Sequence, residues 1–302
     1  MDGVINIYKE KGFTSHDVVA KLRGILKQKK IGHTGTLDPD AEGVLPVCLG
    51  NGTKLCDILT DKDKTYIAVL KLGITTDTQD MTGTILTEKS VFWKEEQIRE
   101  TIASFVGEYD QIPPMYSALK VNGKKLYELA REGKEIERKS RRVQIFHIDI
   151  LEMDDLNHEV RMEVSCSKGT YIRTLCYDIG EALLTGGTMK SLLRTKVERF
   201  SLSESKRLSE VEKAVKDGTI ASLLIPVADM FPQYADFYVK DEKDRFLYNG
   251  NMLSMEDGNL EHSENLKKFS EIVRIYDSKR VFKGLYAITE DKKSLKPYKM
   301  FL

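Results

Sequence analysis

The segment Gly32-His33-Thr34-Gly35-Thr36-Leu37-Asp38-Pro39, continuing through Ala41 and Gly43 to Leu45-Pro46, concentrates residue types that could do chemistry. It reads as a loop between a helix and a buried strand, with one carboxylate held directly before a proline. Pro39 biases Asp38 toward an extended backbone and removes one backbone donor, so the carboxylate can be presented at a cleft instead of wrapped into a helix cap. An arbitrary Asp-Pro is ordinarily a turn; the whole string is far more specific than the dipeptide. Metal-assisted hydrolysis would need clustered carboxylates or histidines, and only Asp38, Asp40 and Glu42 come near one another. Cys48, Cys56, Cys166 and Cys176 form no CxxC pair and the five histidines are scattered, so no structural metal is expected. Cys48, Cys166 and Cys176 fall in apolar strand or helix patterns and read as small buried hydrophobes.

The surrounding elements must hold that loop. Val4 to Tyr8 reads as a short strand, followed by a turn at Lys11-Gly12. Thr14 or Ser15 can cap a helix whose apolar face is Val18, Val19, Leu22, Ile25 and Leu26. Val44 to Leu49 is an apolar run, Lys54 to Leu59 fits a short amphipathic helix, and Tyr66 to Leu72 is apolar on both faces, as a central strand should be. Thr75 to Gly83 is polar and reads as a loop. Ile98, Ile102 and Phe105 mark one face of a second helix. Residues 141–166 give two strands, the second alternating through Val160, Met162, Val164 and Cys166. Gly169-Thr170 starts a helix with Ile172, Leu175, Ile179 and Leu183 inward. Helices and strands interleave without a regular βαβ beat, which predicts an α+β fold: a mixed, largely antiparallel sheet with flanking helices.

Ile225-Pro226 and Phe231-Pro232 interrupt the helical pattern, placing a boundary that divides the chain into 1–230 and 231–302. Beyond it, Val273 to Tyr276 and Phe282 to Ile288, with turns at Asn249-Gly250 and Asp257-Gly258, predict a small β-barrel. Lys+Arg and Asp+Glu balance at 47 each. The distribution is uneven: residues 120–142 hold nine Lys/Arg against four Glu, residues 14–30 hold five basic groups against Asp17, and 239–271 is acidic. A neutral total does not forbid a basic groove for phosphate, although a charge run can equally be a solvated helix face. No run approaches the roughly 18 apolar residues of a membrane span. The first residues carry no secretory pattern, so a cytoplasmic protein is expected.

The string at 32–46 closely resembles the catalytic loop of the TruB-type tRNA pseudouridine synthases. Lys64-Thr65-Tyr66 resembles that family's Lys-x-Tyr strand motif, and Gln111-Ile112-Pro113-Pro114-Met115-Tyr116-Ser117-Ala118-Leu119-Lys120 the start of its RNA-gripping insertion. Ser167-Lys168-Gly169-Thr170-Tyr171-Ile172-Arg173 is similar to the arginine motif, and Ser191-Leu192-Leu193-Arg194-Thr195 to the leucine motif. The matches fall in family order across residues 4 to 200. The resemblance implies an enzyme that isomerises the T-loop uridine at position 55 of tRNA. Breaking the glycosidic bond, turning the uracil and rejoining it through C5 involves no net redox change, so no metal or other cofactor is implied.

By the same resemblance Asp38 is the nucleophile or electrostatic stabiliser, and Arg173 pairs with it and keeps it ionised. Tyr66 stacks on the extracted uracil and handles the proton at C5, and Leu192 closes the pocket's apolar wall. His33 is similar to the histidine that fills the stack vacated by the flipped base. Lys124, Lys125 and Arg131 belong to the insertion, residues 111–140, that grips the T-arm stem-loop. That insertion marks a stand-alone bacterial-type enzyme: a monomer with no guide RNA, obligate protein partner or membrane. Residues 231–302 resemble a PUA-like RNA-binding domain. One departure stands out. The family's Lys-Pro-x-Gly appears as Lys9-Glu10-Lys11-Gly12, with glutamate for proline. Lys9 keeps its place at the substrate site and is expected to buttress the Tyr66 strand. A non-catalytic RNA-binding protein on the same scaffold is the competing reading; loss of Asp38 or Arg173 would have favoured it, and both are present.

Overall fold

Tyr66, Ala68, Leu70 and Leu72 alternate with Thr65, Ile67, Val69 and Lys71 along the strand Lys64–Leu72, which lies at the middle of the larger sheet. The computed structural model describes residues 1–302 apart from residue 122 and residues 263–270, so part of the acidic segment 239–271 lies outside the described residues. The main path of this nine-stranded sheet runs Gly3–Lys9, Glu42–Leu49, Gly187–Val197, Lys64–Leu72, Glu159–Cys166, Arg141–Asp154 and Gly107–Gln111. Neighbours on that path are antiparallel except Glu42–Leu49 and Gly187–Val197, which pair in parallel at Leu193–Glu42 and Arg194–Gly43. The fold is therefore the expected α+β type with a mixed, largely antiparallel sheet.

The central strand differs from expectation in one respect. It buries one face fully, where Ile98 and Ile102 of helix Glu95–Ala103 and Leu175 and Ile179 of helix Ile172–Ala182 pack with Ala68 and Leu70. Thr65, Ile67, Val69 and Lys71 stay half-buried. A second core joins Val18 and Leu22 of helix Ser15–Leu26 and Val211 of helix Leu208–Lys216 to Ile5, Ile7, Leu45 and Val47. The short helix expected at 54–59 is a 3-10 turn, Gly50–Leu55, running into a helix, Cys56–Thr60. The polar stretch 75–83 is a loop only after Thr76, because Ile74–Thr76 pairs with Ile85–Glu88.

Two local devices fix the loop that follows the first helix. Thr14 is the cap: its hydroxyl accepts from the Asp17 N–H at 3.0 Å, while the Asp17 carboxylate accepts from the Thr14 N–H at 2.8 Å. That leaves Ser15, fully buried, to accept from the Leu37 N–H at 2.9 Å with its hydroxyl. Gly43 allows the parallel strands to approach. A Cβ there would lie 2.2 Å from the Arg194 carbonyl oxygen, and its φ of +107° also disfavours a side chain.

Residues 235–300 form a second, six-stranded sheet in the order Leu253–Ser254, Ser294–Met300, Phe282–Ile288, Ile272–Tyr276, Ala235–Val239, Gly258–Glu261. Its two end strands do not pair among the described residues, so the expected barrel is a curled half-barrel. Its core of Phe237, Val273, Ile275 and Tyr286 is its own. A third apolar cluster spans the two sheets, joining Val4, Val44, Cys48, Leu55 and Val197 to Phe231, Leu285 and Phe301. Phe301→Ala should therefore cost about 3 kcal/mol, the usual loss for emptying a buried aromatic site. Urea unfolding followed by circular dichroism checks this. A loss under about 1 kcal/mol would show that the seam closes without Phe301.

Candidate active site

Asp38 sits in the loop between Ile31–His33 and Glu42–Leu49, and neighbouring segments pin that loop by its backbone. Leu37 is held by Ser15, the Gly12 N–H donates to the Pro39 carbonyl at 2.9 Å, and the Ala41 N–H donates to the Asp38 carbonyl at 3.1 Å. Lys9 has no exposed surface, and its ammonium donates to the carbonyls of Glu10, Pro39 and Ala41 at 3.2, 3.0 and 2.5 Å. Burial pulls the Lys9 ammonium down to about 8. Lys9 thus clamps the loop that carries Asp38, and not the Tyr66 strand as expected. The reason is that loop carbonyls lacking ladder partners need a donor when buried, and an ammonium supplies three.

Arg173 lies in the first turn of helix Ile172–Ala182, its side chain only 7 % exposed. Its guanidinium reaches four acceptors. Nε lies 3.1 Å from Asp38 Oδ2, Nη1 lies 3.5 Å from Asp80 Oδ2 and donates to the Thr78 carbonyl at 3.2 Å, and Nη2 donates to the Tyr116 carbonyl at 2.9 Å. Asp80 is held in turn by the Thr78 hydroxyl, the Thr82 N–H and the Thr82 hydroxyl at 2.8, 3.0 and 2.6 Å. The Asp38 side chain is 39 % exposed, opening toward the cleft while protein crowds its other sides. That crowding raises its carboxyl above the ordinary aspartate value; Asp80 adds to the rise, and Arg173 and Lys9 only partly oppose it. The arginine therefore does not cancel the desolvation, as the sequence led us to expect.

The cleft above this pair measures about 870 Å³ and is lined by Tyr66, Leu192, Tyr171, Tyr116, Tyr127 and Arg131, among others. Tyr66 and Arg194 are cross-strand partners, and Leu192 faces Ala68. Arg194 is buried beside the tyrosine and donates to the Val44 carbonyl at 2.7 Å. Burial raises the Tyr66 phenol, so it is neutral near pH 7. Gln111 grips the backbone of Tyr171 twice: its amide accepts from the Tyr171 N–H at 2.8 Å and donates to its carbonyl at 3.0 Å. Asp80, Arg194 and Gln111 were not singled out from the sequence. Arg194 lies inside the leucine motif, where a charge among leucines was the available signal.

The other sequence candidates lie farther out. His33 is outside the cleft lining; its ring meets that of His16 edge-on at 5.2 Å, and burial holds it below the usual histidine value, hence uncharged near neutrality. Arg131 lies over the Tyr127 ring at 5.4 Å and lines the cleft, and Lys125 reaches the same ring at 5.3 Å. Lys124 points to Glu132 at 3.6 Å. Among the described residues no three His, Cys, Asp or Glu side chains converge as a metal set, and no helix is long and apolar enough to cross a membrane.

Set beside known proteins, this geometry falls into one class, the pseudouridylate synthases. The chain belongs to the TruB family of these enzymes: the TruB family pseudouridylate synthase N-terminal domain matches residues 23–172, and the tRNA pseudouridylate synthase B C-terminal domain matches residues 173–231. It is 59 % identical to the tRNA pseudouridine synthase B of Lachnoclostridium phytofermentans, with 100 % of both chains covered. It is 45 % identical to that of Clostridium kluyveri, over 94 % of this chain and 95 % of the relative. Among solved structures, a Cbf5-Nop10-Gar1 complex contains a similar chain with a TM-score of 0.71 and 27 % identity, covering 99 % of this chain and 85 % of that one.

If ionised Asp38 is required, the rate must fall as pH drops through its carboxyl value, and that acid limb must lie above 3.8 because the value is raised. Asp80→Asn removes a neighbouring negative charge and should move the limb to lower pH, while slowing the plateau because Arg173 loses an anchor. A pH–rate profile of the two proteins checks both. An unmoved limb would mean that another group controls it.

Proposed function

We propose that this chain isomerises the T-loop uridine at position 55 of tRNA to pseudouridine, with Asp38 as the essential carboxylate. The observation that carries the reading is the Asp38–Arg173 pair at the floor of a cleft walled by Tyr66 and Leu192. The bond between the ribose C1′ and uracil N1 breaks, the base turns, and C1′ joins C5. The proton at C5 leaves and N1 gains one, so atoms and charge balance without an oxidant. Asp38 acts as nucleophile or as a charge opposite the developing cation, and Arg173 holds one of its oxygens through Nε while its other nitrogens tie in Thr78, Asp80 and Tyr116. The neutral Tyr66 offers a face for the uracil and a hydroxyl near C5.

The base reaches this cleft only if it is flipped out of its loop, at a cost of a few kcal/mol. An uncharged His33, near the loop but outside the cleft, suits the role of filling the vacated stack. Tyr127, Lys125 and Arg131 place an aromatic ring and two cations at the cleft's rim, a combination suited to phosphate and base together. Lys124 is the weakest of the three expected contacts, because Glu132 already shares its charge. The insertion 111–140 supports a stand-alone monomer in the cytoplasm needing neither guide RNA nor cofactor, and residues 231–302 serve as an added RNA-binding domain beyond the catalytic 1–230.

Incubating the protein with unmodified tRNA transcript and mapping pseudouridine by mass spectrometry tests the reading; conversion at one T-loop uridine is expected. Asp38→Asn should abolish conversion while tRNA affinity stays within about tenfold, since phosphate contacts dominate binding. Arg173→Lys should keep little activity, because an ammonium cannot reach Asp38, Asp80 and the Thr78 and Tyr116 carbonyls together. Turnover by Asp38→Asn would remove the carboxylate from the mechanism. Changing Lys125 and Arg131 together to glutamine should flatten the plot of log K against log salt by roughly 1.5 units if both touch phosphate. An unchanged slope places the RNA elsewhere.

A further inference from the structure

Glu10 occupies the position where the resembling motif carries proline, and it makes contacts that a proline ring could not. The ladder between Gly3–Lys9 and Glu42–Leu49 ends at Lys9, opposite Gly43. Along the strand's other edge run residues 205–207: the Tyr8 N–H donates to the Lys206 carbonyl and the Lys206 N–H to the Asn6 carbonyl, both at 2.9 Å. Arg207 is thereby laid beside the strand's end, with its own N–H held by Glu210 Oε2 at 2.8 Å. Its guanidinium sits 4.7 Å from the centre of the Tyr8 ring and forms an ion pair with the Glu10 carboxylate, while the Tyr8 hydroxyl donates to Glu42 at 3.0 Å. Successive residues of an extended chain face opposite ways. Tyr8 and Glu10 therefore meet Arg207, and Lys9 between them turns inward to the carbonyls of Pro39 and Ala41. The third carbonyl that Lys9 holds belongs to Glu10 itself.

We propose that Glu10 and Arg207 are positioning residues: their ion pair, seated on Tyr8, fixes the backbone at residue 10 as a proline ring would. Lys9 can then clamp the Asp38 loop in its working register. The inference rests on Asp38 being the catalytic carboxylate. Glu10 and Arg207 are 35 % and 52 % exposed at the side chain, and such a pair adds little to global stability. Its contribution is to orientation, where a small misplacement of a reacting group costs rate out of proportion to stability. Proline restricts φ and the carboxylate tethers a side chain; as two answers to one requirement they should be interchangeable.

The test compares full-length Arg207→Gln, Glu10→Gln, both together, and Arg207→Gln combined with Glu10→Pro. Each single variant should slow single-turnover pseudouridine formation on a T-arm stem-loop about fivefold, with RNA affinity and Tm near wild type. The double glutamine variant should be no slower than either single, and Glu10→Pro should restore the rate in the Arg207→Gln background. Unchanged single-variant rates, multiplicative losses or failure of proline to rescue would overturn the proposal. Amide hydrogen exchange provides an arm that does not depend on Asp38 chemistry, since the Gly12 and Ala41 N–H groups bond within the clamped loop. Faster exchange at both in the single variants, reversed by proline, supports the clasp even should the wild-type chain convert no uridine. Unaltered exchange overturns it.

Discussion

Burying the guanidinium of Arg173 obliges the protein to supply an acceptor for its donors, and the site is built from the answer. The acceptors come from segments far apart in the chain: Asp38 from one loop, Thr78 and Asp80 from another, and the Tyr116 carbonyl from the base of the insertion. A buried donor left unpaired costs a few kcal/mol, more when it is charged. The loops are therefore not independently placed. Each settles where the same planar fork can reach it, and residues 111–140 are tied to the Asp38 loop through one side chain.

How much of this was legible in the sequence depended on whether the partner of each residue leaves a local mark. Asp38 stood out because the string around it resembles the TruB-type loop, and the first helix's start because a cap, at Thr14 or Ser15, is read within a few residues. The alternating face of Glu159–Cys166 was visible for the same local reason. Lys9 was assigned to the wrong neighbour, since two of its three acceptors are backbone carbonyls some thirty residues away, and a carbonyl has no residue signature. Asp80 lay in a stretch read only as a polar loop. Its position opposite Arg173 follows from the Ile74–Thr76 hairpin, which polarity alone conceals.

Charge counting along residues 120–142 takes no account of acids that the fold brings in from outside that segment. Two acids outside that count, Glu108 and Asp110, temper its charge from across the sheet, while Glu132 and Glu135 belong to the counted segment. Arg142 faces Asp110 in register and also reaches Glu108, Glu132 is shared by Lys124 and Lys134, and Arg138 pairs with Glu135. The cations that remain at the cleft are those set against Tyr127.

The absent side chain at Gly43 reaches further than one tight contact. It brings the Glu42–Leu49 strand against the backbone of Arg194, which pairs across the sheet with Tyr66 and holds the Val44 carbonyl with its side chain. Leu192, two residues earlier on the same strand, forms part of the cleft wall. Position 43 therefore works as a spacer gauge: one added methyl group would push the strand outward and change the width of the cleft between Tyr66 and Leu192.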